Sequence, residues 1–480
     1  MDLRPVLYVI GIFLSIMAIS MVLPMLTDLY FGHDDWRAFF ICIIITAFFG
    51  GSLILSNSTQ NFSLSLRQAF LLTTLTWVTL CIFAALPFWL SAMKMSYTDA
   101  FFEAMSGITT TGSTVIVGLD HTPPGILLWR SILQWLGGIG IIIMALSIFP
   151  FLKVGGMQIF RTELSENDKA LPRLAQLANS IGMIYLALTL IATLLFIFAG
   201  MSILDALAHA MSSISTGGFS TFDASLSAQP TAWPEIIAIV FMLIGSLPFV
   251  LYLKAIRGNM QPLFQDSQVR AFLTVVAVSI FLIVFYLMHQ QDMGFVEALR
   301  YSSFSVISLI TGTGFTNSDF NAWGGFAVSL LFFLMVVGGC AGSTTCGIKI
   351  FRFQVLFAVT QVQIRKLLHP HGIFLPHYNG KPIPKDIPLS VMGFFFMYAL
   401  CFAVLAMALS FCGLDFLTAM SGAATAISNV GPGLGDIIGP AGTFQSLPDS
   451  AKWILSAGML LGRLEIFTVL VLFSPRFWKS

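Results

Sequence analysis

The chain predicts an all-α integral membrane protein: four related units of helix, short helix, loop and helix, preceded by two additional N-terminal helices. Three observations carry this. Of 480 residues, 57% are hydrophobic and 9% charged, with a mean hydropathy of +0.90, whereas a soluble domain carries about 25% charged residues. Ten stretches are apolar over the ~20 residues that a membrane helix needs. A short polar, glycine-bearing motif recurs four times among them: Thr109-Thr110-Thr111-Gly112-Ser113, Ser215-Thr216-Gly217-Gly218-Phe219, Thr311-Gly312-Thr313-Gly314-Phe315 and Ser428-Asn429-Val430-Gly431-Pro432.

In chain order the apolar stretches fall at about residues 5–27, 37–56, 69–90, 125–151, 174–200, 234–253, 269–289, 322–350, 388–411 and 451–474. The first follows Met1-Asp2-Leu3-Arg4-Pro5 and has no small-residue cleavage site, so Val6 to Met25 is expected to be a retained helix. It pairs with the second in an N-terminal segment, 1–66. Four units follow, at 67–153, 154–257, 258–367 and 368–480. In each, a segment too short to span lies between the two long stretches and ends in one copy of the motif. The repeat is legible in residues as well. Asp99-Ala100 and Asp205-Ala206 each stand 13 residues before their glycine, and Ala104-Met105-Ser106, Ala210-Met211-Ser212 and Ala419-Met420-Ser421 recur on the short segments. Glu297-Ala298 and Asp415-Phe416 stand 17 and 16 residues before theirs. The third and fourth short helices are therefore expected to be about one turn, ~3.6 residues, longer.

Basic residues set an orientation. With the N-terminus in the cytoplasm, the inner segments collect most of the 23 Lys and Arg, including Arg4, Arg67, Lys153, Arg161, Lys169, Arg173, Lys254, Arg257, Arg365, Lys366, Lys381, Lys385, Arg476 and Lys479. The opposite side holds most of the acids, among them Asp28, Asp35, Asp99, Glu103, Asp205 and Asp223. All four motifs then face outward under an acidic rim expected to concentrate cations. The net charge of +1 and the lack of a basic run give no footing for nucleic-acid binding. The six cysteines lie in apolar or glycine-rich segments and are expected to be free thiols; Cys340 and Cys346 lack the partners of a metal site. Residues 353–387, with His369, His371 and His377, are expected to form a proline-rich cytoplasmic surface loop suited to docking a partner, in preference to a metal site. No nucleophile–base set, phosphate loop or metal spacing supports catalysis, so the chain is not expected to be an enzyme.

The motif suits cation passage. A dehydrated cation in a membrane needs oxygens in place of water, and rings of backbone carbonyls supply them. Irregular backbone at that depth is tolerated only where protein or water covers it. Glycine allows positive φ, which turns carbonyls towards an axis, and flanking hydroxyls hold the loop backbone. The short helices aim their negative C-terminal ends at the same centre. The competing reading is that the glycines serve close helix packing. It accounts for one such loop better than for four in the same context.

The fourfold unit, its loops and the interrupted segment described next resemble the Trk/Ktr/HKT superfamily of potassium transporters, and within it the bacterial Trk membrane subunits, over nearly the whole chain. The resemblance implies four walls of one potassium filter, with carbonyls from Thr110 and Thr111, Thr216 and Gly217, Gly312 and Thr313, and Asn429 and Val430, and with Gly112, Gly218, Gly314 and Gly431 completing the loops. In that superfamily a serine at the first-loop glycine goes with sodium permeation, so Gly112 implies a preference for potassium. The loops depart from the Thr-Val-Gly-Tyr-Gly of fourfold potassium channels, and Pro432 sets the fourth apart, which implies a minimal filter. Also implied are a homodimer in lipid, the bacterial inner membrane with both termini cytoplasmic, a cytoplasmic nucleotide-binding ring protein of the TrkA type as regulator, and potassium as cargo with no resident cofactor.

Two gate candidates follow. The eighth stretch is interrupted by Val337-Gly338-Gly339-Cys340-Ala341-Gly342-Ser343-Thr344-Thr345-Cys346-Gly347, a poor helix interior. It reads as a flexible loop beneath the motifs that blocks the path, with Gly338, Gly339, Gly342 and Gly347 as its pivots, or else as a kinked helix with close packing. In the resembling superfamily this segment is the intramembrane gating loop. Arg463 lies inside the last apolar stretch, where a charge costs ~2.5–3.5 kcal/mol on insertion scales. It reads as a positive barrier lining the path, as the matching arginine does in that superfamily, or as an ion-pair or carbonyl-capping residue. Glu465, two residues on, points elsewhere, and its partner is expected on another helix; Arg130 and Arg300 are weaker candidates. The function expected is channel-like potassium uptake. The alternative is a secondary transporter coupling potassium to protons or sodium, which needs buried carboxylates near the midplane; apart from Glu465 few are seen.

Overall fold

The computed structural model describes residues 2–58, 65–147, 156–157 and 170–479. Apolar runs are helical here because backbone without water must satisfy its own hydrogen bonds. Among the described residues seven helices are long and apolar enough to cross a membrane: Arg4–Phe31, Trp36–Ser56, Leu66–Leu90, Pro124–Ala145, Gln176–Phe198, Ser267–Gln290 and Asp386–Phe411. Lys153, Arg161 and Lys169 lie outside the described residues, as does the side chain of Arg173.

The other three expected spans are not continuous helices. The sixth is Trp233–Ser246 followed by Phe249–Ile256 at 95°, and the tenth is Asp449–Arg463 followed by Ile466–Phe473 at 112°. The eighth contains only the 12-residue helix Gly325–Val336 before the chain leaves the helical path. Hydropathy measures apolar length and does not register these breaks. Each has a local cause. Pro248 has no amide to continue the ladder and holds Leu247 extended, at ψ 157°. Glu465 sits at φ +58°, and the eighth break coincides with the glycine cluster. Helix resumes at Ile350 and runs to Leu368, so the first half of the expected 353–387 surface loop is helical. The rest carries a small hairpin, His377–Tyr378 antiparallel to Lys381–Pro382. Its turn, Asn379-Gly380, has both φ angles positive, the type I′ geometry that matches strand twist. Among the described residues no three His, Cys, Asp or Glu side chains are grouped to hold a metal.

The four short helices are Tyr97–Ile108, Ile203–Ile214, Phe295–Ile310 and Phe416–Ser428, of 12, 12, 16 and 13 residues. The third is one turn longer, as expected; the fourth is not. Asp99 and Asp205 occupy the third helical position, where their amides are capped by Ser96 and Ser202 and their carboxylates accept from the same serines. Asp415 is itself the N-cap, accepting from the amides of Leu417 and Thr418. The acid has moved to a different capping position while the helix has kept its length.

The N-terminal pair packs through glycine. A Cβ on Gly50 would lie 2.8 Å from Ser15 Oγ and 3.0 Å from Gly11 O, whereas one on Gly51 would meet nothing within 4 Å. Small residues of this kind let membrane helices approach closely. Gly50→Val is expected to lower the unfolding temperature of the detergent-purified protein, as overpacking by ~1–3 kcal/mol does. Gly51→Val should leave it nearly unchanged; equal shifts for the two would argue against the contact.

Candidate functional site: a ring of glycine loops

Each short helix ends in a tight turn that starts its loop. In the first, the amides of Thr110 and Thr111 reach back to the carbonyls of Gly107 and Ser106, at 2.9 and 2.8 Å. Thr216 and Gly217, and Asn429 and Val430, repeat the pattern. This is the Schellman arrangement, whose left-handed residue is usually Gly or Asn. Here that residue is Thr110 (φ 52°), Thr216 (φ 51°), Gly312 (φ 75°) and Asn429 (φ 53°). A β-branched residue so placed stores ~1–3 kcal/mol of strain. Two residues on, Gly112, Gly218 and Gly314 are again at positive φ, and Gly431 is not. A left-handed residue at every second position, as in the first three loops, interrupts the alternation of a strand and lets neighbouring carbonyls face one side.

The glycines close a ring. A Cβ on Gly112 would strike the carbonyl oxygen of Gly217, and one on Gly218 that of Thr313. On Gly314 it would lie 2.7 Å from the Gly431 amide, and on Gly431 3.2 Å from Gly112 O. Each loop thus abuts the next, and the fourth returns to the first. The carbonyls of Thr111, Gly112, Gly217, Thr313 and Asn429 are among those brought to these contacts. Thr110, Thr111, Thr216, Gly217, Gly312, Thr313, Asn429 and Val430 are all buried. Above the ring, on the side towards which the loops continue, lies a cavity of about 240 Å³ that all four glycines help to line, with Arg130 and Asp223 in its wall.

Side chains brace the loops. Gln134 donates to Gly217 O (2.5 Å) and accepts from the Phe219 amide (3.0 Å). Arg130, one turn earlier on the same helix face, donates to Ser220 O (2.7 Å) and pairs with the buried Glu103 at 2.7 Å. Glu103 in turn accepts from the Val115 amide and the Thr114 hydroxyl. Two residues thereby fasten the second loop to the first unit. Ser113 donates to Gly431 O, and the side-chain Nδ2 of Asn429 donates to Thr111 Oγ1 and Met459 O. Further out, Arg300 pairs with Glu235, which also accepts from Asn317, and Lys452 pairs with Asp99. The expected acidic rim is therefore partly structural. Glu103 is buried with its arginine, and Asp28 and Asp35 are buried and accept from the amides of Gly125 and Ala92.

Below the ring sits the interrupted stretch. It is a loop whose stems, Val337–Gly338 and Ile348–Lys349, pair as short parallel strands; it is not a kinked helix. Residues 338–346 are buried and tightly bonded. The amides of Cys340 and Thr344 donate to Ser246 O and Gly245 O, and Gly342 O accepts from the Phe249 amide. The Lys349 ammonium donates to Thr345 O. Gly338 and Gly339 allow close backbone approach, to Cys346 O and Ser246 O; Gly342 and Gly347 take φ of 78° and 70°. Arg463 ends the helix Asp449–Arg463 and is 2% exposed. It donates to Thr344 O (3.1 Å), Cys346 Sγ (2.6 Å) and Gly137 O (2.7 Å). Among the described residues no carboxylate pairs with it. Glu465 does find its partner on another helix, Arg352, at 2.5 Å.

Gln134, Gly137 and Gly245 have no part in the sequence reading of the site, and Thr344 is not singled out in it. Gln134 was detectable, since it stands four residues after Arg130 in an apolar run and so shares its face. Thr344 was visible only as one of three hydroxyls in the glycine cluster. The two glycines contribute backbone carbonyls, which carry no residue signal.

Comparison with known proteins adds three findings. Residues 36–480 match the TrkH family model, described as a cation transport protein. The Trk system potassium uptake protein TrkI of Halomonas elongata is 46% identical over 481 residues, covering 99% of this chain and 97% of that protein; TrkH of Escherichia coli is 36% identical over 489 residues, with 100% of both covered. The crystal structure of the potassium transporter TrkH from Vibrio parahaemolyticus is similar with a TM-score of 0.93 at 35% identity, covering 100% of each chain.

Glu103→Gln leaves the Arg130 guanidinium buried without its counter-charge, and breaking a buried pair costs ~3–5 kcal/mol. The purified variant is expected to unfold at a clearly lower temperature than wild type. Asp34→Asn, at the exposed Arg37 pair, should shift it little.

Proposed function

The chain belongs to the TrkH family of cation transport proteins, and from that premise we propose that it takes up potassium across the bacterial inner membrane through a conducting pore whose selectivity filter is the ring of four loops. The observation that carries this reading is the closure of the ring, in which backbone carbonyls from successive loops meet where only glycine fits. Such oxygens can replace the hydration shell of a monovalent cation without fixed charge. Thr110, Thr111, Thr216, Gly217, Gly312, Thr313, Asn429 and Val430 supply them, and the fourth loop, lacking the second left-handed residue, supplies fewer well-aligned ones. The cavity above the ring is the outer mouth, and both termini are cytoplasmic, in keeping with the basic residues at that end.

The buried loop 338–347 is the gate and Arg463 its electrostatic lock. A guanidinium held by carbonyls and a thiol, with no carboxylate paired to it among the described residues, stands below the filter and repels a cation leaving it. The regulator is a cytoplasmic nucleotide-binding ring of the TrkA type acting on a homodimer. The helix Ile350–Leu368, continuous with the gate, exposes Phe357, Ile364, Leu367 and Leu368 and is the natural lever for such a partner. No cofactor enters this mechanism. Conduction is favoured over coupled transport because the buried glutamates Glu103, Glu235 and Glu465 are each committed to an ion pair with an arginine.

Recordings from purified protein in lipid bilayers test this reading: a potassium-selective conductance is expected, and a fixed potassium-to-proton ratio without conductance would replace it with coupled transport. Gly112→Ser places an atom against Gly217 O and spreads the filter; the sodium-to-potassium permeability ratio is expected to rise, and an unchanged ratio would remove Gly112 from the filter. A unit charge ~10 Å from a passing ion at an effective dielectric of about 20 is worth ~1.7 kcal/mol. Arg463→Ala is therefore expected to raise potassium flux roughly tenfold, whereas lower flux from a folded variant would mark Arg463 as a carbonyl cap only.

A further inference from the structure

Among the described residues, one side-chain hydrogen bond joins the intramembrane loop to a filter loop. The helix Trp233–Ser246 stops before Pro248, which leaves its last carbonyls without intrahelical donors. The loop supplies them: the Thr344 amide donates to Gly245 O at 3.1 Å, and the Thr344 hydroxyl lies 2.9 Å from the same oxygen and 3.1 Å from Ile214 O, at the end of the second short helix. Thr216 Oγ1 lies 3.1 Å from Thr344 Oγ1 and 2.8 Å from Ser215 O, and its one proton is shared between them. A Cβ on Gly245 would lie 2.7 Å from Ile214 O and 3.1 Å from both Thr216 Cγ2 and Thr344 Oγ1, so glycine is what lets the three segments meet. Thr344 O also receives Arg463. The other loops lack this tie among the described residues. The Thr110 hydroxyl has no partner there, position 312 is glycine, and Asn429 is held by Thr111 and Met459.

We propose that Thr344 is a positioning residue that holds the strained Thr216 from below, so that withdrawal of the intramembrane loop changes the shape of the second filter wall and hence ion selectivity, and does more than unblock the path. While the loop is seated, the Thr216 hydroxyl is engaged by Thr344 as well as by Ser215 O, and Thr344 also holds the helix end just before it at Ile214 O. When the loop leaves, the Thr216 hydroxyl is left with Ser215 O alone and Ile214 O loses Thr344, a change confined to that one wall.

The inference rests on the filter reading above, and the test separates the two. Reversal potentials under potassium–sodium gradients and total flux are measured for the full-length protein in liposomes. Thr344→Val keeps the hydrogen bond from its backbone amide to Gly245 O and removes the hydroxyl. It is expected to raise flux and to shift the sodium-to-potassium permeability ratio by about 2- to 10-fold, the worth of one hydrogen bond; Thr344→Ser should restore both. Higher flux with an unchanged ratio would reduce the loop to a plug and overturn the proposal, as would no change in either. If Thr344→Val does not purify as folded protein, Thr216→Val removes the same contact from the other side and must shift the ratio likewise; an unchanged ratio again overturns the proposal. A wild-type protein that fails to discriminate the two ions would instead remove the filter reading itself.

Discussion

Every backbone amide and carbonyl at membrane depth must find a partner, because hydrocarbon offers none. Long helices meet this demand internally, and seven of the spans are long helices. The centre of the protein is where it is met differently. Four short helices end there, two longer ones break, and a third ends early. The orphan groups so created are shared among neighbours: Gly245 and Ser246 feed the intramembrane loop, Gly137 O takes Arg463, and Gly217 O takes Gln134. The carbonyls that face the loop junctions are the residue of this accounting, and on the proposed reading they are the ones left for an ion.

A ring built this way is strained and needs a frame. Thr110 and Thr216 hold a conformation that β-branched residues avoid. Around them stand the buried Glu103–Arg130 pair and the pairs of Glu235 with Arg300 and Asp99 with Lys452, the last two joining residues 65 and 353 positions apart. Pairs of this kind gain less stability than their charge suggests, since both partners lose hydration. Their value here is in fixing the spacing of loops whose glycines leave no room for error.

The fourfold repeat is imperfect in ways that matter. The first and third loops share a hydroxyl pair, Thr109 with Thr111 and Thr311 with Thr313. The second is clamped by Gln134 above and Thr344 below. The fourth substitutes an asparagine that reaches into the first. A single chain permits this division of labour, because each wall can be tied to a different element; four identical subunits would repeat every tie.

Composition and repeat spacing by themselves determined the class, the four motif loops, their place after short helices, the interruption of the eighth span and the exceptional position of Arg463. These are properties of local pattern, since apolar length, capping residues and glycine content act over a few neighbouring positions. The tertiary structure decided what no local pattern encodes. The sixth and tenth spans break as well as the eighth, because Pro248 and the left-handed Glu465 are accommodated only where other segments take up the freed groups. Glu465 answers Arg352, and several acids read as an outer rim are interior braces, because charge placement depends on which helices become neighbours. Above all, the closing of four loops into one ring is a set of contacts between carbonyls and absent side chains at residues more than 90 positions apart. Backbone oxygens are the same in every residue, so a sequence can mark where glycine stands but not which carbonyl it was emptied to admit.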